Sequence, residues 1–111
     1  MSSLITIALF CSALDSYEGD SASQALHPNV RNLLTKMGQC GFNGRLRDVT
    51  EATGGGNVPA PIFIGCFKCG DINAFVDEFK QTPWFMPDEV LLVVQYEHGP
   101  EFFKFYRPWS T

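Results

Sequence analysis

The sequence predicts an α+β domain in two layers, with helices packed on an antiparallel sheet. Three observations lead there. Two segments carry apolar stripes at the helical period, Val30, Leu33, Leu34 and Met37 in one, Ile72, Phe75, Val76 and Phe79 in the other. Three stretches, 4–10, 62–65 and 90–96, are short, apolar and β-branched, as buried strands are. Single helices alternate with these strands, and the last strand meets an aromatic stretch at 102–107 across Glu97-His98-Gly99-Pro100, a hairpin signature. At 111 residues, 45% hydrophobic and 14% aromatic, the chain is sized for one core, and residues 1–111 are expected to form a single domain.

Residues 4–10 read as an interior strand; no cation precedes them, so a secretory leader is not expected. Residues 12–24 are rich in Ser, Asp and Gly and read as a loop, with Asp15, Glu18 and Asp20 as solvated acids whose spacing misses a calcium loop. Pro28 suits a first helical turn, with His27 just ahead of it, and Gly38 and Gly41 are stop signals. Residues 45–53 make a weaker strand, and Gly54-Gly55-Gly56 with Pro59 and Pro61 a connector. Asp71 is the natural N-cap of the second helix, and Thr82-Pro83 closes it, because a residue before proline avoids the helical region.

The order is therefore strand, helix, strand, strand, helix, strand, strand. Its first six elements resemble the ferredoxin-like fold by element order alone. That resemblance implies a βαββαβ two-layer sandwich with both helices on one face, here extended by an additional C-terminal strand forming a hairpin. A sheet covered on one side should alternate apolar and polar residues. Val90 to Val94 and Phe102 to Tyr106 do not: they offer apolar groups to both faces. The second face is expected to be covered by a second copy or a protein partner, with Trp84, Phe103, Phe105 and Trp109 as interface candidates. The alternative is self-coverage, by Trp84-Phe85-Met86 or by the tail carrying Trp109.

The formal charge of −4 argues against direct nucleic-acid binding, and no segment is long and apolar enough to span a membrane. Four cysteines in such a chain are expected to be reduced and cytoplasmic. Cys66-Phe67-Lys68-Cys69 places two thiols at a strand-to-helix junction, where a redox pair is one reading. With Cys40 and His98 at the same end of the expected sheet, zinc held by Cys40, Cys66, Cys69 and His98 is another. No catalytic constellation can be assigned. The leading expectation is a small acidic, non-catalytic binding or regulatory protein, needing no cofactor, that acts through its sheet face as a homodimer. The alternatives are a thiol-redox protein, a zinc-stabilised module, and an acidic inhibitor that occupies a basic site on a nucleic-acid-binding protein.

Overall fold

The computed structural model describes residues 4–18, 25–57, 60–97 and 103–109. In chain order the elements are β1 (Ile5–Phe10), α1 (Ala13–Ser16), β2 (Tyr17–Glu18), β3 (Ala25–Leu26), α2 (Pro28–Gln39), β4 (Arg47–Asp48), β5 (Ile62–Phe67), α3 (Ile72–Gln81), β6 (Leu91–Tyr96) and β7 (Phe103–Tyr106). Single 3-10 turns, Thr50–Thr53 and Pro87–Glu89, precede β5 and β6. Five strands form one sheet in the order β4-β5-β1-β6-β7, and every neighbouring pair is antiparallel. The class is thus mixed α+β, as the periodicities predict. No described helix is long and apolar enough to cross a membrane.

Local chemistry sets the helix ends. His27 is the N-cap of α2: its Nδ1 accepts from the Asn29 amide at 3.0 Å, and Pro28 occupies the first turn, where no amide hydrogen is needed. Asp71 caps α3 by accepting from the Ala74 amide at 3.1 Å, and extended Thr82, held by Pro83, ends it. The apolar stripes of both helices face the sheet. Val30, Leu33 and Met37 of α2 and Phe75 and Phe79 of α3 form one buried cluster with Ile7, Leu9, Phe63, Leu92 and Val94. Each such side chain contributes roughly 2 kcal/mol of burial, so this layer supplies the main driving force.

Two segments depart from the sequence expectation. The expected loop at 12–24 contains α1 and β2, and β2 pairs with β3 just beyond it. Ser12 caps α1 through a 3.3 Å bond from the Asp15 amide. Asp15 is not a solvated acid but fully buried. Its neighbours explain this: Asn29 and the chain amides of Phe85 and Met86 all donate to it. Composition marks a residue as polar; it does not reveal donors brought from distant segments. Asp20 lies outside the described residues.

The expected strand at 45–53 shrinks to Arg47–Asp48. Asp48 accepts from the Thr50 amide at 2.9 Å, an Asx-type bond that turns the chain out of the ladder and into the 3-10 turn. Conversely, β5 continues past Gly65 to Phe67, whose partner in β1 is Ile5. In the expected hairpin turn, only Glu97 is described, and its amide bonds the Leu4 carbonyl at 3.1 Å.

Candidate functional site

Strand alternation divides the sheet into two unlike surfaces. Ile7, Leu9, Phe63, Phe67, Leu92 and Val94 point toward the helices and are buried. Their neighbours Thr6, Ala8, Phe10, Ile62, Ile64, Cys66, Leu91, Val93 and Gln95 point the other way, and none of these is buried. Phe103 and Phe105 join them by register, at 53% and 66% exposure. So the face turned away from α2 and α3 is apolar, and no described element lies across it.

The ladder arranges this surface in rows. Phe105, Val93, Ala8, Ile64 and Arg47 cross the sheet in one row from β7 to β4. Phe103, Gln95, Thr6 and Cys66 form a second, and Leu91, Phe10 and Ile62 a third. Apart from Arg47 on the short edge strand, none of these residues is charged. The relief is uneven, with the Phe103 and Phe105 rings along one border and small Ala8 near the centre. Beside the second row lies a hollow of about 150 Å³, lined by Leu4, Thr6, Cys66, Gln95 and Glu97.

The interface candidates separate. Phe103, Phe105 and Trp109 are exposed, and the Arg107 guanidinium lies 5.8 Å from the Trp109 ring centroid. Trp84 is a core residue instead: it is 8% exposed, and its indole nitrogen donates to the Phe79 carbonyl at 2.9 Å. A buried indole needs such an acceptor, and the end of α3 supplies one. Self-coverage by Trp84 is thereby corrected, since it packs on the helix side. Sequence reasoning missed Ile62, Ile64 and Ala8 as parts of the face. The i, i+2 recurrence of Ile62, Ile64 and Cys66 was the available signal.

All four cysteines are free. Cys66 sits on the uncovered sheet face, whereas Cys69 directs its thiol to the Gly41 carbonyl at 3.4 Å, beside the end of α2. Cys40 closes α2 and is buried; its carbonyl accepts from the Asp71 amide at 2.7 Å. Its thiol is held above the ordinary value by burial and then by the Glu78 and Asp71 carboxylates. The end of α2 carrying Cys40 and the segment before α3 carrying Cys69 therefore do meet. Among the described residues no three His, Cys, Asp or Glu side chains converge as metal ligands, and His98 lies outside them.

A groove of about 280 Å³ between α2 and α3 is larger than the hollow beside Cys66. Its Lys36 and Glu78 pair with each other at 2.6 Å. Comparison with protein-family models, with curated proteins and with solved structures finds no match to this chain.

Proposed function

We propose that this chain is a small acidic, non-catalytic binding protein that works through protein–protein contacts of its uncovered sheet face, as a homodimer. The observation that carries the reading is the unlike burial of the two faces: both are apolar, yet among the described residues only one is shielded. Contiguous apolar surface of this kind on a small protein marks an interaction site. The strand order β4-β5-β1-β6 supports reading the scaffold as ferredoxin-like, with β7 widening the sheet at one edge. Four free thiols suit a reducing, cytoplasmic setting.

Sedimentation of the chain beside Phe105→Lys tests the reading. Phe105 is 66% exposed, so the variant keeps its fold, checked by circular dichroism. The expected result is concentration-dependent self-association that the variant loses. A chain that stays monomeric at every concentration, or a variant that associates as well as its parent, overturns it.

A further inference from the structure

We infer that the uncovered face pairs with a second copy of itself about a two-fold axis running along the strands between β1 and β6, with Phe103 of each copy seated at Cys66 of the other. This rests on the sheet-face reading above and specifies its geometry.

The rows supply the argument. A two-fold axis in that position exchanges β6 with β1 and β7 with β5. Phe103 then meets Cys66, Phe105 meets Ile64, Val93 meets Ala8, Leu91 meets Phe10 and Gln95 meets Thr6. Bulky residues fall on smaller ones in the first and third of these pairs. The single wholly polar pair matches an amide with a hydroxyl, which can satisfy each other inside an interface. A self-complementary arrangement of this kind is what an isologous interface requires.

The hollow beside Cys66 measures about 150 Å³. Its lining mixes Leu4 and Cys66 with Thr6, Gln95 and Glu97, so it is an open, partly apolar recess beside the place where the Phe103 ring lands. An axis parallel to the strands also leaves the two sheets aligned, one of the two common ways in which sheets stack, about 10 Å apart.

Charge and area point the same way. Each copy carries a formal −4, yet the three rows from β5 to β7 contain no charged residue, and the Glu97 carboxylate at the hollow accepts from the Leu4 amide at 2.8 Å, so two like-charged molecules can meet there. Four strands at about 4.8 Å spacing and six residues at about 3.3 Å give a flat footprint of roughly 400 Å². Side-chain relief raises it toward the ~600 Å² per partner at the lower end of specific interfaces. The dimer should accordingly be weak, dissociating in the micromolar range.

Two measurements test this, both in a Cys69→Ser background that leaves Cys66 as the one exposed thiol of the four. First, the rate of Cys66 labelling by a disulfide reagent is compared at about 1 μM and about 300 μM protein, on either side of a micromolar dissociation constant. Labelling should slow about tenfold in the concentrated sample, because a thiol must be accessible to react. Second, Phe103→Cys is oxidised with copper phenanthroline at the higher concentration. Two thiols, one from each copy, lose their protons and two electrons to the oxidant and form one disulfide. A reducible covalent dimer is expected, and adding Cys66→Ser should reduce it strongly.

If Phe105→Lys abolishes association but Cys66 labels equally fast at both concentrations, or the cross-link forms without Cys66, this pairing is wrong while the sheet-face reading stands. If the parent chain never associates, or Phe105→Lys leaves association unchanged, the reading underneath fails with it.

Discussion

The amide of Phe85 donates a 2.8 Å hydrogen bond to the carboxylate of Asp15, a residue 70 positions earlier in the chain. The same carboxylate accepts from the Met86 amide at 3.0 Å, from Asn29 Nδ2 at 2.9 Å and from the Ser12 hydroxyl at 3.2 Å. One buried acid thus ties α1, the start of α2 and the segment after α3 together. No buried polar side-chain atom among the described residues lacks a partner.

Removing that acceptor strands several donors in a dry site. Asp15→Ala should lower unfolding free energy by about 3 kcal/mol, the range for breaking a buried, charge-assisted network. Asp15→Asn keeps one acceptor oxygen but turns an amide group toward a donor, so it should cost less, about 1–2 kcal/mol. Urea unfolding measures both. Hydrogen exchange at Phe85 and Met86 should quicken in each variant; exchange as slow as in the parent would show that something else holds this segment.

Two glycines should respond oppositely to alanine. Gly70 precedes the Asp71 cap with φ at 153°, and a Cβ there would run into the Phe42 ring. That ring is fixed edge-on against Phe67 and Phe75, with centroids 5.2 and 5.6 Å away. Gly70→Ala should therefore cost about 2 kcal/mol or more. Gly38 lies on the exposed side of α2, with nothing within 4 Å of an added Cβ. Gly38→Ala should stabilise by about 0.5–1 kcal/mol through helix propensity. Thermal unfolding of the pair gives both signs at once.

The contrast between these residues shows what a sequence of this kind reveals. Helical stripes, the Asp71 cap and the Thr82-Pro83 stop are local signals, and the structure realises them where they stand. The apolar character of both sheet faces was also legible, because Leu91 and Val93 interrupt the polar alternation of a half-covered strand. Asp15 was illegible, since its donors come from residues up to 71 positions away. Trp84 looked like a surface anchor for a different reason. The Phe79 carbonyl that satisfies it is only five residues back, but residue type does not say that the chain after Thr82-Pro83 turns the indole back onto the end of α3. Nor can residue type tell Cys66 from Cys69, since strand register alone puts the first on the open face.

Tyr17 ties the β2–β3 unit to the sheet edge. Its hydroxyl donates to Asp48 at 2.7 Å and shares a hydrogen bond with Thr50 at 2.7 Å. Burial alone would push the Asp48 pKa up, but the bonds from Thr50 and Tyr17 outweigh it and hold the carboxyl below its ordinary value of 3.8. An acid with a depressed folded-state pKa stabilises the fold above its unfolded value, and that contribution is lost as pH falls through the folded one. Tyr17→Phe should cost about 1 kcal/mol at neutral pH, as loss of a partly exposed bond to a carboxylate does. The gap between parent and variant should narrow once the solution is acidic enough to protonate Asp48. A gap that persists unchanged into acid would assign the loss to packing against Phe63, whose ring centroid lies 6.4 Å from that of Tyr17.

Alkaline stability should turn on Cys11. Burial, opposed by a hydrogen bond with Ser16 and reinforced by the Asp15 and Asp48 carboxylates, raises its pKa from 9.0 to about 12. The folded chain thus holds this proton more tightly than the unfolded chain. Stability is full below pH 9 and declines as pH rises from 9 toward 12, by about 1.4 kcal/mol per unit for one such group. Tyr17, raised from 10.0 to about 12 chiefly by burial, adds to the decline above pH 10. Cys11→Ala removes the thiol and leaves only a small void, so it should cost about 1 kcal/mol at neutral pH. Its decline above pH 9 should be visibly shallower, and the two curves should converge as the parent loses its advantage. Unfolding midpoints recorded at neutral pH, at pH 9 and at about one unit higher decide the matter. Parallel curves would mean that the buried thiol does not govern the alkaline limb, and that the fold opens there through some other group.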